Sequence, residues 1–393
     1  MALRNLKVLD FSTLLPGPYA SLMLADMGAD VIKISDKNRA DLVLDKEPFI
    51  EGTGMSANQA WINRNKDTMF LDLKKPESVE IVKKLIVEEG YDIILEQFRA
   101  GVMDRLGLGY DELKKICPGL IYCSLTGYGQ TGPYSSRAGH DINFLSLSGT
   151  MSHSGKKEGG PSLLSIQVGD LAIGSFHSII GILASVEHRH NTGEGQRIDV
   201  AMLDGLISFN SLDGCGFLVD GKLPEREAGL LNGGTFYDFY ETKDGEFLSV
   251  GSLEPKFWEG FCTALGKSEW IAEGVKPADI DARKAEARQI IKGKTRKEWE
   301  AIFEPLDCCV EPILNLREAL LENEHIKERE LITAIDVQGK EVKQYAMPIH
   351  FSKTKPVYAH SGKELGVDTE KIIERLGYTK EQYQELQEKG VFG

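Results

Sequence analysis

The sequence predicts an α/β protein: a doubly wound, mostly parallel, Rossmann-like sheet with a second, smaller α+β domain. Three observations lead there. The first third alternates short strand-like runs with helical stretches, the rhythm of βαβ units. The strand-like runs are almost continuously apolar, as strands buried on both faces must be. After the Gly-rich "EREAGLLNGGT" the pattern changes to a hairpin followed by helices rich in Lys and Glu.

In chain order, the strand-like "LKVLDFS" is followed by the helical "PYASLMLADMGA" and the strand-like "DVIKIS". Next come "DTMFLDLK", the helical "KPESVEIVKKLIVEEG", "YDIILEQF", the helical "YDELKKICPG" and the strand-like "LIYCSLTG". A long helix is expected from about Leu171 to His190, opened by Asp170 as N-cap and stopped by the turn "NTGEG". "RIDVAMLDGLISFNSL" adds a strand and a helix. "FYDFYETKDGEFLSV" predicts a hairpin around Lys243-Asp244-Gly245. The expected large domain is 1–225, rejoined by 326–393 through "IDVQGKEVKQYAMPIHFS" and two terminal helices. The smaller domain is 226–325.

Composition narrows the function classes. Apolar residues make up 41% and charged residues 27% of 393, an ordinary globular balance. The net charge of −14 argues against broad nucleic-acid binding but leaves room for an anionic small ligand in a local basic pocket. No apolar run reads as a bilayer span, so no membrane association is expected. "MALRNLKVLDFS" runs straight into a strand, so no signal peptide is expected, and "KGVFG" matches no peroxisomal or prenylation ending. The six cysteines, at 117, 123, 215, 262, 308 and 309, form no Cys-x-x-Cys pair. A reduced, cytoplasmic setting without a metal site follows as the expectation.

Several candidate motifs have a plain structural explanation. Gly127, Gly129 and Gly132 match a dinucleotide fingerprint, yet Pro133 follows at once and no helix opens there. His188 and His190, two apart at a helix end, point to different faces and read as solvated groups. Cys308 and Cys309 are expected to pack as small apolar groups. No Gly-x-Ser-x-Gly elbow occurs. Asp170 has two readings. It is either a helix cap, or a carboxylate at the positive end of a helix facing the ligand crevice, beside amides able to receive an oxyanion. His140 in "AGHDINF" is either a packed histidine or a proton-transfer group at a helix N-terminus, with Asp141 as the expected cap.

Five stretches settle the likeness: "LKVLDFSTLLPGPYASLMLADMGADVIKI", "NRNKDTMFLDLK", "EQFRAGVMDRLGLGYDEL", "GYGQTGPYSSRAGHDIN" and "GILASVEHRHNTGEGQRIDVAMLDG". With "GGTFYDFYETKDGEFLSVGSLEPKFW" and "CCVEPIL", they resemble the class III CoA-transferase (CaiB/BaiF) superfamily in order over nearly the whole chain. Within it the chain is most similar to the α-methylacyl-CoA racemases. Histidine stands before Asp141, Glu241 in "YDFYETKDG" matches the acid that supports the racemase histidine, and "LNGGTFYDFYE" is racemase-like. "DLAIGS" after the aspartate is bulkier than the usual racemase run and more like several transferases.

The resemblance implies two chemistries on one scaffold. As a racemase, His140 and Asp170 would serve opposite faces of the α-carbon of a 2-methylacyl-CoA thioester and Glu241 would orient the imidazole. Amides at the start of the Asp170 helix would receive the enolate oxygen. As a transferase, Asp170 would be the nucleophile, passing through acyl anhydride and thioester intermediates. The coenzyme A positions it implies are Leu15, Pro16, Leu71, Lys74, Gln97, Phe98, Arg99, Arg105 and Arg137, where basic side chains suit phosphates. Coenzyme A arrives as part of the acyl-CoA substrate, so no resident cofactor is required. An interlocked homodimer is expected by the same resemblance.

Overall fold

The computed structural model describes residues 1–393. The chain divides into two compact units. Met1–Leu145, Ser165–Leu206 and Glu328–Gly393 form the first; Ser146–Leu164 and Ile207–Lys327 form the second. Residues 146–164, 207–225 and 326–327, grouped on sequence with the large domain, cluster with the second unit.

The first unit is built on a six-stranded, wholly parallel sheet of order β3-β2-β1-β4-β5-β6. Its strands are β1 (Lys7–Asp10), β2 (Asp30–Ser35), β3 (Lys66–Phe70), β4 (Ile93–Glu96), β5 (Ile121–Thr126) and β6 (Arg197–Ala201). Strand order reverses between β1 and β4, so the loops leaving these two carboxyl ends part and open a crevice, the usual ligand position of such sheets. The period of two divides the strand side chains between faces. Leu9, Ile32, Ile34, Met69 and Ile94 join Ile81 and Leu85 of the Pro76–Val87 helix and the C-terminal Ile372 and Ile373 in one apolar core. Asp10 and Lys33, register partners in β1 and β2, take the opposite face.

The long helix runs Gly169–Thr192 rather than from Leu171 to His190. It opens in wide π turns over Gly169–Ser175, continues as α-helix over Phe176–Thr192 and closes at Gly193, whose φ is +80°. Val168 holds the cap position and Asp170 lies inside the first turn, so the expected N-cap role of Asp170 is corrected. By length and composition this helix is apolar enough to cross a membrane, contrary to the expectation that no run is. Half of its most apolar window is buried inside the protein. Ser178 and Ser185 turn their hydroxyls back onto the carbonyls of Gly174 (2.6 Å) and Gly181 (2.8 Å), which lets hydroxyls sit in the interior.

The second unit holds an antiparallel sheet of order β7-β8-β9, with β7 (Asp238–Glu241), β8 (Phe247–Val250) and β9 (Val310–Pro312). The β7–β8 hairpin turns around Lys243-Asp244-Gly245 as its sequence predicts, with Gly245 at φ +79°. Trp258, Phe261, Trp270, Trp299 and Phe303 pack against Tyr240 and Leu248 in a separate aromatic core.

The C-terminal segment returns to the first unit. Its hairpin, β10 (Ile332–Val337) and β11 (Lys340–Tyr345), is fastened through buried Arg64. That guanidinium grips Asp26 with two nitrogens and donates to Gln344 Oε1 (3.1 Å) and the Tyr345 carbonyl (2.9 Å).

Candidate active site

The crevice is shaped by two loops that leave the sheet at its switch point. After β1 the chain turns through Ser12–Leu15 into the helix Pro16–Asp26. Gly17 meets Gln97, which follows β4: its amide donates to Gln97 Oε1 at 3.3 Å. A Cβ on Gly17 would lie 2.2 Å from Ser12 Cβ, so only glycine permits this approach. On the β4 side, the buried Glu96 carboxylate accepts the Phe98 amide at 2.8 Å, and burial raises its pKa to about 7.

His140 and Asp170, thirty apart in sequence, belong to this same unit, and Asp141 links their elements. His140 occupies the cap position of the short helix Asp141–Leu147. Its carbonyl accepts the Asn143 amide at 2.8 Å and its own amide donates to Asn143 Oδ1 at 3.0 Å. The imidazole is exposed. Asp141, expected to cap its own helix, instead turns its carboxylate to the long one. Asp141 Oδ1 accepts the amides of Gly169 (2.6 Å) and Asp170 (3.3 Å), satisfying two first-turn donors of the Asp170 helix. A Cβ on Gly169 would come within 2.9 Å of that same oxygen, so the glycine makes the approach possible.

This arrangement governs the acidity of Asp170. A carboxylate in a helix's first turn ordinarily gains from the unpaired amides. Here two of those amides face Asp141, and Asp170 is half-buried. Burial first, and the Asp141 charge second, raise the Asp170 pKa to about 6, while a charged His140 pulls it down. Asp170 therefore exchanges its proton near neutrality, as general acid–base work requires. Of the amides at the start of the Asp170 helix, which the resemblance offers to an enolate oxygen, those of Gly169 and Asp170 are engaged with Asp141.

The coenzyme A positions implied by resemblance fall on the carboxyl side of the sheet. A cleft of about 180 Å³ gathers Leu71, Lys74 and Phe98 with Phe11, Asp36 and Arg39, from the ends of β1 to β4. An adjoining groove of about 650 Å³ takes Lys74 again, with Arg105. Leu15 and Pro16 start the Pro16–Asp26 helix, and Gln97 bonds to it. Arg99 is exposed just after β4. Arg137 is exposed too, its guanidinium lying 3.9 Å over the Tyr134 ring, a pose that leaves its edge nitrogens to a ligand. Asp36 and Arg39 were not singled out on sequence, although "DKNR" directly follows β2, where ligand-facing loops begin.

Glu241 stands in the second unit, at the end of β7, where its carboxylate pairs with Lys292 at 2.8 Å. The Gly127–Gly132 stretch opens no helix, in keeping with its exclusion as a dinucleotide site; Gln130's amide there donates to Asp199 Oδ2 (2.9 Å). Cys308 is buried as expected, whereas Cys309 is exposed at φ +57°. His188 and His190 are exposed at the helix end.

Comparison with known proteins bears on this geometry. The family model for CoA-transferase family III matches residues 3–369. The chain is 32% identical over 392 residues to the alpha-methylacyl-CoA racemase of Homo sapiens, covering 98% of this chain and 96% of that protein. It is also 32% identical over 368 residues to the succinyl-CoA:mesaconate CoA-transferase of Haloarcula hispanica, covering 90% and 91%. Among solved structures, a CAIB/BAIF family protein from Brucella suis superposes with a TM-score of 0.82 at 28% identity, over 95% of this chain and 99% of that one.

Proposed function

The chain belongs to CoA-transferase family III, and on that premise we propose that it is a racemase of 2-methylacyl-CoA thioesters. The observation that carries this reading is the coupling of His140, Asp141 and Asp170 within one unit, with the Asp170 pKa raised to about 6.

Inversion at the α-carbon needs a base on one face and an acid on the other. The thioester carbonyl delocalises the charge left when the α-proton departs, so the intermediate is an enolate. In one direction ionised Asp170 removes the proton while protonated His140 returns one to the opposite face; in the other the roles exchange. A carboxyl raised to about 6 releases and regains its proton near neutrality, so Asp170 serves as base in one direction and as acid in the other. Lys74, Arg99, Arg105 and Arg137 receive the coenzyme A phosphates. The substrate brings the coenzyme A, and the chemistry needs no resident metal or redox group.

The test is incubation of a single substrate epimer in deuterated water. The proposal expects epimerisation with deuterium appearing at the α-carbon; a panel of 2-methylacyl-CoA thioesters showing neither defeats it. A second reading is supported by the bulky "DLAIGS" run and by the transferase relatives. There Asp170 attacks the thioester carbonyl, expelling the coenzyme A thiolate as a mixed anhydride forms. Acceptor-dependent thioester exchange and trapping of Asp170 by hydroxylamine would select that reading.

A further inference from the structure

Beneath the Ser12–Pro18 loop the first unit buries one carboxylate and two ammonium groups. Asp10, Lys33 and Lys66 are 0%, 2% and 0% exposed. Lys33 Nζ and Lys66 Nζ lie 3.6 and 3.7 Å from different oxygens of Asp10. One negative charge faces two positive ones, which leaves a surplus charge out of water. The other nearby carboxylate, Asp26 on the overlying helix, is gripped by Arg64. A buried surplus charge opposes folding, and an apolar side chain of similar length would avoid that cost.

What the ammonium groups touch gives the surplus a use. Lys33 Nζ donates to the Ser12 carbonyl, and Lys66 Nζ to the Pro18 carbonyl at 2.8 Å. Between them Ser175 Oγ, from the helix that carries Asp170, donates to the Pro16 carbonyl at 2.6 Å. Asp10 completes the frame by accepting the Ser12 amide at 2.8 Å and Ser21 Oγ at 2.5 Å. Three carbonyls of one seven-residue stretch, Ser12 to Pro18, are thus held from below by buried donors. Leu15 and Pro16 ride on that stretch, and its Gly17 amide reaches Gln97 across the switch point.

We propose that Lys33 and Lys66 are positioning residues for the coenzyme A moiety, holding the Ser12–Pro18 loop in the form that receives it. This rests on the reading of the chain as an acyl-CoA enzyme and holds for either of its two chemistries. Neither lysine takes part in proton or acyl transfer; each acts through the backbone carbonyl it binds.

The test uses the full chain carrying Lys66→Met or Lys33→Met. Free coenzyme A is titrated by calorimetry, and the thermal midpoint is recorded alongside. The expected result is coenzyme A affinity weakened about tenfold at an unchanged or higher midpoint, with KM raised and kcat within about threefold. Wild-type affinity in either folded variant overturns the proposal, as does a loss of affinity that only accompanies a fallen midpoint. Should both lysine variants fail to fold, Ser175→Ala removes a hydroxyl donor to the same loop together with its longer 3.3 Å bond to the Asp170 carbonyl, so coenzyme A affinity and not turnover is the readout. It is expected to weaken coenzyme A binding about threefold, and unchanged affinity there overturns the proposal. A wild-type chain that does not bind coenzyme A would instead defeat the functional reading beneath it.

Discussion

The carboxylate of Asp141 accepts the backbone amide of Asp170 at 3.3 Å and that of its neighbour Gly169 at 2.6 Å. One acid therefore holds the peptide that carries the other. The bond fixes where the Asp170 carboxyl stands, and the Asp141 charge makes that carboxyl harder to ionise. The same neighbour thus holds the peptide in place and adds its charge to the larger effect of burial on the acidity.

Asp141→Asn separates the two effects. Asparagine keeps an oxygen for the two amides but removes the charge, so the Asp170 pKa is expected to fall from about 6. If ionised Asp170 is the working form, the acid limb of the kcat/KM profile moves to lower pH while activity at pH 8 is largely kept. Asp141→Ala loses the acceptor as well, and kcat is expected to drop about tenfold or more. An acid limb unmoved in Asp141→Asn would contradict the coupling.

Asp170 is also a stability liability at neutral pH. Its folded pKa, about 6, lies above the ordinary 3.8, so between those values the folded chain holds a proton the unfolded chain has lost. Stability from this group falls as pH rises through that window, and the full penalty is present at pH 7. Asp170→Asn is therefore expected to abolish turnover while raising the thermal midpoint at pH 7 by about 2 °C, with a smaller gain at pH 4. A lower midpoint at pH 7 would show that the carboxylate is stabilised in place.

The sheet was legible in the sequence because strands buried on both faces can hardly be written otherwise: "DVIKIS" and "YDIILEQF" announce themselves by composition. His140 and Asp170 were visible through resemblance, but their coupling was not. The Asp141–Gly169 bond joins residues 28 apart and depends on a helix opening in wide π turns, which no local propensity marks. Lys33 and Lys66 did leave a signal that passed unassigned. Each is a charged residue within a buried parallel strand, on the face opposite the apolar core. Arg39 and Asp36 were missed because a short polar loop after a strand looks like any turn until the neighbouring strand ends are assembled around it.

His140→Ala distinguishes the two chemistries proposed for the site. In a two-base mechanism the face served by the imidazole loses its proton donor and acceptor. Epimerisation of a single-epimer 2-methylacyl-CoA is then expected to fall about a hundredfold or more, while deuterium from solvent still enters, with retention, only the epimer whose α-proton faces Asp170. Nucleophilic transfer through Asp170 needs no imidazole, and a variant that retained full acceptor-dependent exchange would favour it.

The phosphate contacts proposed for this chain are testable apart from its proposed proton chemistry. Lys74 lines both clefts at the strand ends, beside Arg39 in one and Arg105 in the other. Lys74→Ala is expected to raise KM for the thioester about threefold to tenfold, with a weaker dependence of KM on ionic strength than in the wild type. An unchanged KM and salt dependence would move the nucleotide end of the substrate away from these clefts.

Lys66 offers a stability test whose sign is fixed. Burial pulls its pKa down to about 7 from the ordinary 10.5, against the attraction of Asp10, with the like charge of Lys33 adding to the burial effect. Between those values the unfolded chain binds a proton that the folded chain lacks, so this group's contribution to stability rises with pH across that window. Below pH 7 both states are charged and the penalty of burial is complete. The midpoint gain of Lys66→Met over the wild type should thus be largest near pH 6 and shrink steadily toward pH 9. A gain that stays flat from pH 6 to pH 9 would mean that Lys66 does not titrate in that window. A gain that grew with pH would mean that its charge is stabilised where it lies.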